Sequence, residues 1–174
     1  GFNFRMGEIE ATIGLCQVHK GAELVAQRLE NITYLEHKLR GLPGIKTPFV
    51  AQGALHVYYI HALQFDGAAL EITRANFVAA LRAELPATDL RQGEGPLIDA
   101  GYVLPIYLEP MYQKRIAYGD KGCPFACPHY KGNVSYERGI CPETEKAHFE
   151  TLLTHELMRP PMTENDLDDV AAAF

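Results

Sequence analysis

Residues 1–17 read GFNFRMGEIEATIGLCQ, and the character of the chain changes inside this stretch. Gly1 to Arg5 has the pattern of a tight, extended approach. From there Met6, Ile9, Ile13 and Cys16 recur three and four apart, which predicts one apolar helical face with Cys16 as a buried thiol. Ala11, Gly14, Leu15 and Val18 widen that face. Asn3 and Arg5 stand just ahead of the helix, where unsatisfied backbone N–H groups favour an anion. An N-cap region with an exposed arginine accounts for the same residues. Glu8 and Glu10 suit the positive end of the helix dipole.

Working outward, Gly21 predicts a bend, followed by a second helix whose Leu24, Val25, Leu29, Ile32, Leu35 and Leu39 face a core. GLPGIKTP at residues 41–48 ends it with Gly and Pro punctuation. Residues 1–41 thus form a helical arm of about 35 residues, long for an isolated small domain and suited to packing on something else. Residues 42–174 read as a small α/β domain. ALHVYYIHALQF at 54–65 predicts a strand covered on both sides, in which His56 and His61 are satisfied by neighbours. ITRANFVAALRAEL at 72–85 predicts a helix capped by Thr73, with Phe77, Val78, Leu81 and Leu85 inward. Residues 86–135 are loop-rich, with a short strand expected near Tyr102 to Ile106. CPETEKAHFETLL predicts a helix with Pro142 in its first turn, and THELMRPPM a short extended piece. Thr163 and Asp166 form a capping-box pattern that opens a last helix through Leu167, Val170 and Phe174. The expected architecture is α/β: a long helical arm, then a small sheet layered with helices.

Composition agrees with a globular chain. Of its 174 residues 47% are hydrophobic and 22% charged, which argues against disorder. A net charge of −6 makes a sequence-independent nucleic-acid binder a poor reading. No apolar run is long enough to span a membrane. The four cysteines, Cys16, Cys123, Cys127 and Cys141, are too sparse for a secreted disulfide framework and point to a reducing cytoplasm.

The motifs and their order carry a resemblance. GFNFRMGEIEATIGLCQ resembles the G-x-N-x-R-M-x-E-I-x-A-x-x-G-x-x-Q signature of the DegT/StrS family of pyridoxal-phosphate sugar aminotransferases. HVYYIHALQF, TRANFVAAL, GYVLPIYLEPMYQ, and GICPETEKAHFETLL with MTENDLDDVAAAF are similar to later segments of that family, in the same order. The resemblance implies the carboxy-terminal portion of a fold-type-I enzyme, its arm linking to a large domain that carries the cofactor lysine. None of the seven lysines here (20, 38, 46, 114, 121, 131 and 146) has the context of that lysine. The implied reaction moves an amino group from glutamate or glutamine to a keto-sugar, usually nucleotide-linked, through pyridoxal 5'-phosphate. Implied too are a cytoplasmic setting and a homodimer with shared active sites, without nucleic-acid or membrane partners. A non-catalytic binding or dimerisation module of the same fold, or a sugar dehydratase of the family with histidine in place of the lysine, are the alternatives.

Site roles follow from the same resemblance. Asn3 is expected to reach the partner subunit's cofactor phosphate, with Arg5 supporting it or the substrate's charge. Tyr107 stands where many members carry histidine and is expected either to hydrogen-bond a sugar hydroxyl or to sit at the core edge with its own hydroxyl in water. Cys123, Cys127, His129 and Cys141 could make a zinc site by ligand type, but their spacing is not that of a standard finger or ribbon. The other reading is a Pro-rich loop folding over the sugar site. Lys114, Arg115, Lys121 and Lys131 could attract a diphosphate there or form a solvated face.

Overall fold

The computed structural model describes residues 4–86, 97–119, 121–126 and 128–174. Helix α1 runs Glu8–Leu39 as one element of 32 residues, about 48 Å long at the usual rise. The bend expected at Gly21 does not occur. A Cβ at that position would meet nothing within 4 Å, so the glycine sits on an open helix surface and the formers around it carry the helix through. The apolar face expected from Met6 to Cys16 is in place but exposed, and Cys16 is an exposed free thiol rather than a buried one. Periodicity identified the face; no described part of this chain lies over it.

The second half of α1 does reach a core. Ile32, Leu35 and Leu39 are buried against a sheet and against α6, Glu164–Ala173. The sheet joins β1 (Ile45–Lys46), β2 (His61–Phe65), β3 (Ile98–Ala100) and β4 (Leu152–His155) in the order β1-β2-β4-β3, every pair antiparallel. Leu63 and Phe65 of β2, Ile98 of β3 and Leu153 of β4 meet Val78 and Leu81 of α3, Arg74–Glu84, and Leu167 and Val170 of α6. Strand β2 begins only at His61, and it alternates: Gln64 is exposed and Ala62 half-buried, so the second face of the sheet is covered only in part.

Local chemistry explains the boundaries. A short helix α2, Gly67–Leu70, is capped by Asp66, whose carboxylate accepts from the Ala68 and Ala69 N–H groups. Thr73 caps α3 through the Asn76 N–H, as its position predicts. The strand expected near residues 102–106 lies earlier, at Ile98–Ala100. Gly101 ends it at φ +92°, where a Cβ would come within 2.8 Å of the His148 carbonyl oxygen. A 3₁₀ turn, Ile106–Leu108, and helix α4, Pro110–Lys114, follow. The helix expected through residue 153 is α5, Pro142–Lys146, widened into a π turn at Ala147–Thr151; Leu152 and Leu153 already belong to β4. That strand is paired on both sides, by β2 and β3, and this outweighs the helical spacing of its leucines. The capping box at Thr163 and Asp166 is present.

Candidate functional site

Tyr107 sits in the 3₁₀ turn beyond β3, only 8% exposed. Its hydroxyl is not in water; it donates to Glu145 Oε1 of α5 at 2.5 Å. The same oxygen accepts from the Gly139 N–H at 2.6 Å, and Arg138 Nε lies 3.5 Å from Oε2. Desolvation, followed by the neighbouring carboxylate, pushes the Tyr107 phenol up to about 12. The Tyr107 hydroxyl and the Gly139 N–H hold the Glu145 carboxyl below its usual range. The proton therefore stays on the tyrosine. Gln113 of α4 adds a second brace by donating to the Tyr107 and Tyr136 carbonyls at 2.7 and 2.6 Å. Together Glu145 and Gln113 tie the 3₁₀ turn at Tyr107 and the stretch at Tyr136 and Gly139 to α5 and α4.

Helix α5 is itself fixed from α3. The Arg74 guanidinium donates to the carbonyls of His148 at 2.9 Å, Phe149 at 2.8 Å and Leu152 at 2.6 Å. A cation on the last carbonyls of a helix satisfies them and suits the negative end of its dipole. Arg138 lies over the Phe149 ring, 4.2 Å from its centroid. Arg74, Phe149, Arg138 and Glu145 thus place Tyr107 through one connected set of contacts.

Of the other expected site residues, Asn3 lies outside the described residues. Arg5 is exposed ahead of α1, on the order of 40 Å along the helix from the first fully buried residue, Ile32. Nothing within the described chain places Arg5 beside Tyr107. Cys127 also lies outside the described residues, and Cys123 and Cys141 are half-buried. No group of three or more metal-ligating side chains is assembled among the described residues. Lys114, Arg115, Lys121 and Lys131 are all exposed.

Between the β1–β2 edge, the start of α3 and α5 runs an open groove of about 1160 Å³. Lys46, Arg74 and Lys146 line it alongside Asp66, Glu71, Glu143 and Glu150, so its carboxylates outnumber its cations and it offers no net attraction to a diphosphate. Reading the sequence missed Glu145 as Tyr107's partner, although the glutamate of the C-P-x-x-E segment was the signal for it. His155 was missed as well; the signal was a histidine in THELMRPPM, the piece expected to be extended.

Comparisons with known proteins agree with this architecture. Spore coat polysaccharide biosynthesis protein SpsC of Bacillus subtilis is 24% identical over 173 residues, which is 99% of this chain and 37% of that protein. GDP-perosamine synthase of Caulobacter vibrioides is 34% identical over 84 residues, 48% of this chain and 22% of that protein. The fold is similar to that of the S. venezuelae DesV crystal structure, with a TM-score of 0.68 at 19% identity, over 99% of this chain and 37% of that one. The chain thus spans little more than a third of the length of SpsC or DesV. No described helix is long and apolar enough to cross a membrane. The family model for DegT/DnrJ/EryC1/StrS aminotransferases matches residues 1–135, and the chain belongs to that family.

Proposed function

We propose that this chain forms the arm and small domain of a pyridoxal-phosphate-dependent aminotransferase acting on a keto-sugar carried on a nucleoside diphosphate, with glutamate or glutamine as amino donor. The observation that supports this most is the family match over residues 1–135, joined to relatives named for polysaccharide and perosamine synthesis. The working enzyme is a cytoplasmic homodimer. Asn3 donates to the partner subunit's cofactor phosphate, and Arg5 supports that charge or the substrate's. Arg5 at the exposed end of a long arm suits a contact made outside its own core. Tyr107, braced by Glu145, stands on the sugar side, its phenol oxygen keeping lone pairs for a donating sugar hydroxyl.

In this reading the covalent anchor for the cofactor is not among the lysines of this chain. All seven lysines are exposed, whereas an amine that condenses with a carbonyl at neutral pH is held desolvated or beside another cation. The anchoring lysine is therefore assigned to a part of the protein other than this chain, and the residues here bind and position.

The test has two arms. Treating this chain with pyridoxal phosphate and then borohydride should give no adduct at a single lysine by mass mapping; one specific reduced adduct overturns the division of labour. Full-length protein given glutamate and a nucleotide-linked keto-sugar should yield the amino sugar. Dehydration, or no turnover of any such sugar, overturns the reaction class.

A further inference from the structure

His61 of β2 and His155 of β4 face each other across the sheet, 0% and 1% exposed, with His61 Nδ1 2.8 Å from His155 Nε2. One backbone group fixes where their protons lie. The Leu157 N–H donates to His155 Nδ1 at 3.2 Å, so that nitrogen carries a lone pair and the ring proton is on Nε2. His155 Nε2–H then donates to His61 Nδ1, and His61 Nε2–H donates to Glu36 Oε1 of α1 at 3.1 Å. Tyr58 completes the chain by donating to the same oxygen at 3.3 Å. This line of hydrogen bonds runs from the turn after β4, through the sheet, to the arm.

The line holds two ring protons and has no room for a third. Adding a proton to either imidazole leaves the His155 Nδ1–H facing the Leu157 N–H, or the two rings presenting N–H to N–H. The strain falls on the turn after β4. That turn also holds the arm through Asn31, whose Nδ2 donates to the Met158 and Met162 carbonyls, each at 3.1 Å.

We propose that the His61–His155 pair is a pH-sensitive latch, which fastens α1 to the sheet while the His155 imidazole is neutral and loosens it when that ring takes up a proton. The charged groups nearby are occupied elsewhere. Lys38 of α1 is held by Asp168 of α6, and Asp99 of β3 by Arg82 of α3. Glu156 after β4 pairs with Arg159. His56 accepts from the Tyr58 N–H, and the Phe174 ring lies beside His155. Among the described residues Glu36 is the charged group hydrogen-bonded to the pair, and it meets His61 rather than His155. Burial, then the neighbouring His61, holds the His155 imidazole well below its usual value. With the folded value depressed, the latch is at full strength above the unfolded imidazole value of about 6.5 and weakens as pH falls below it.

Amide hydrogen exchange on the whole chain reads this directly. Corrected for intrinsic rates, exchange at Leu35, Leu39 and Leu63 should rise about tenfold between about pH 7.5 and about pH 5.5. His155→Gln, which removes the titrating ring, should show less than about a twofold rise. Equal responses in the two proteins, or none in the wild type, overturn the latch. Should His155→Gln fail to fold, ring nitrogen NMR of the wild type decides. A protonated Nε2 with a bare Nδ1 on His155, unchanged while the chain stays folded, supports it. A protonated Nδ1, or ordinary titration near pH 6.5 in the folded chain, overturns it.

Discussion

In the first half of α1, Ile9, Ile13 and Val18 are 76%, 58% and 74% exposed; in the second, Ile32, Leu35 and Leu39 are 1%, 0% and 1% exposed. The spacing of apolar residues is helical in both halves. What differs is the covering layer. The sheet and α6 lie over the second half, pinned by Asn31 to the turn after β4, by Tyr34 and Lys38 to Asp168, and by Glu36 to His61. Over the first half no described residue does the same. An apolar stripe left in water is a candidate interaction surface. Helical periodicity tells which side of an element avoids water and is silent on what covers it.

The sharpest way to break the comparison is truncation on each half. Leu35→Ala should lower the unfolding free energy by about 2–5 kcal/mol, as buried leucines do when a cavity is left behind. Ile13→Ala should change it by less than about 0.5 kcal/mol in a dilute monomer. Urea titrations of both variants measure the contrast. Similar losses from the two would mean the first half is covered after all.

Association is the second test. Met6, Ile9, Ile13 and Val18 are each worth about 1.5–3 kcal/mol when fully buried. Association itself costs about 4–15 kcal/mol, and a stripe-to-stripe contact counts each residue once from each copy, so the gain is enough for two copies to pair. Light scattering should show mass rising with concentration, and Ile9→Asp with Ile13→Asp should abolish the rise. A clean monomer at high concentration, before any substitution, counts against the stripe as an interface.

Much of the fold was legible because its signals are local. Thr73, Pro142 and the Thr163–Asp166 pair mark helix starts through contacts within one turn, and each stands where its pattern places it. What could not be read depends on residues far apart in the chain. Residues 152–153 have leucines at a spacing a helix would accept, yet strands brought from residues 61–65 and 98–100 make them a central strand. The candidate site divides the same way. The segment around Tyr107 was visible as a motif, but its bond to Glu145 spans 38 positions, and the His61–His155 contact spans 94. Cys16 shows the converse error: its place on an apolar stripe was read as burial, when the stripe's cover is not part of the described chain.

The smallest expected effect bears on whether α1 is one lever or two. Glycine inside a helix costs about 0.5–1 kcal/mol relative to alanine, because it gives up more backbone freedom on folding. Gly21 lies within the Glu8–Leu39 span, and a Cβ there would touch nothing within 4 Å. Gly21→Ala should therefore stabilise the helix by about that amount with no steric penalty. The gain should appear as higher helical signal and slower amide exchange on both sides of residue 21, and leave the latch at Glu36 and His61 unchanged. That pattern requires a helix continuous through the glycine, so that the exposed half is held out rigidly from the buried half. A loss of stability on Gly21→Ala would mean instead that the glycine adopts a bent conformation that alanine cannot follow. The two halves would then be separate helices, as the punctuation in the sequence first suggested.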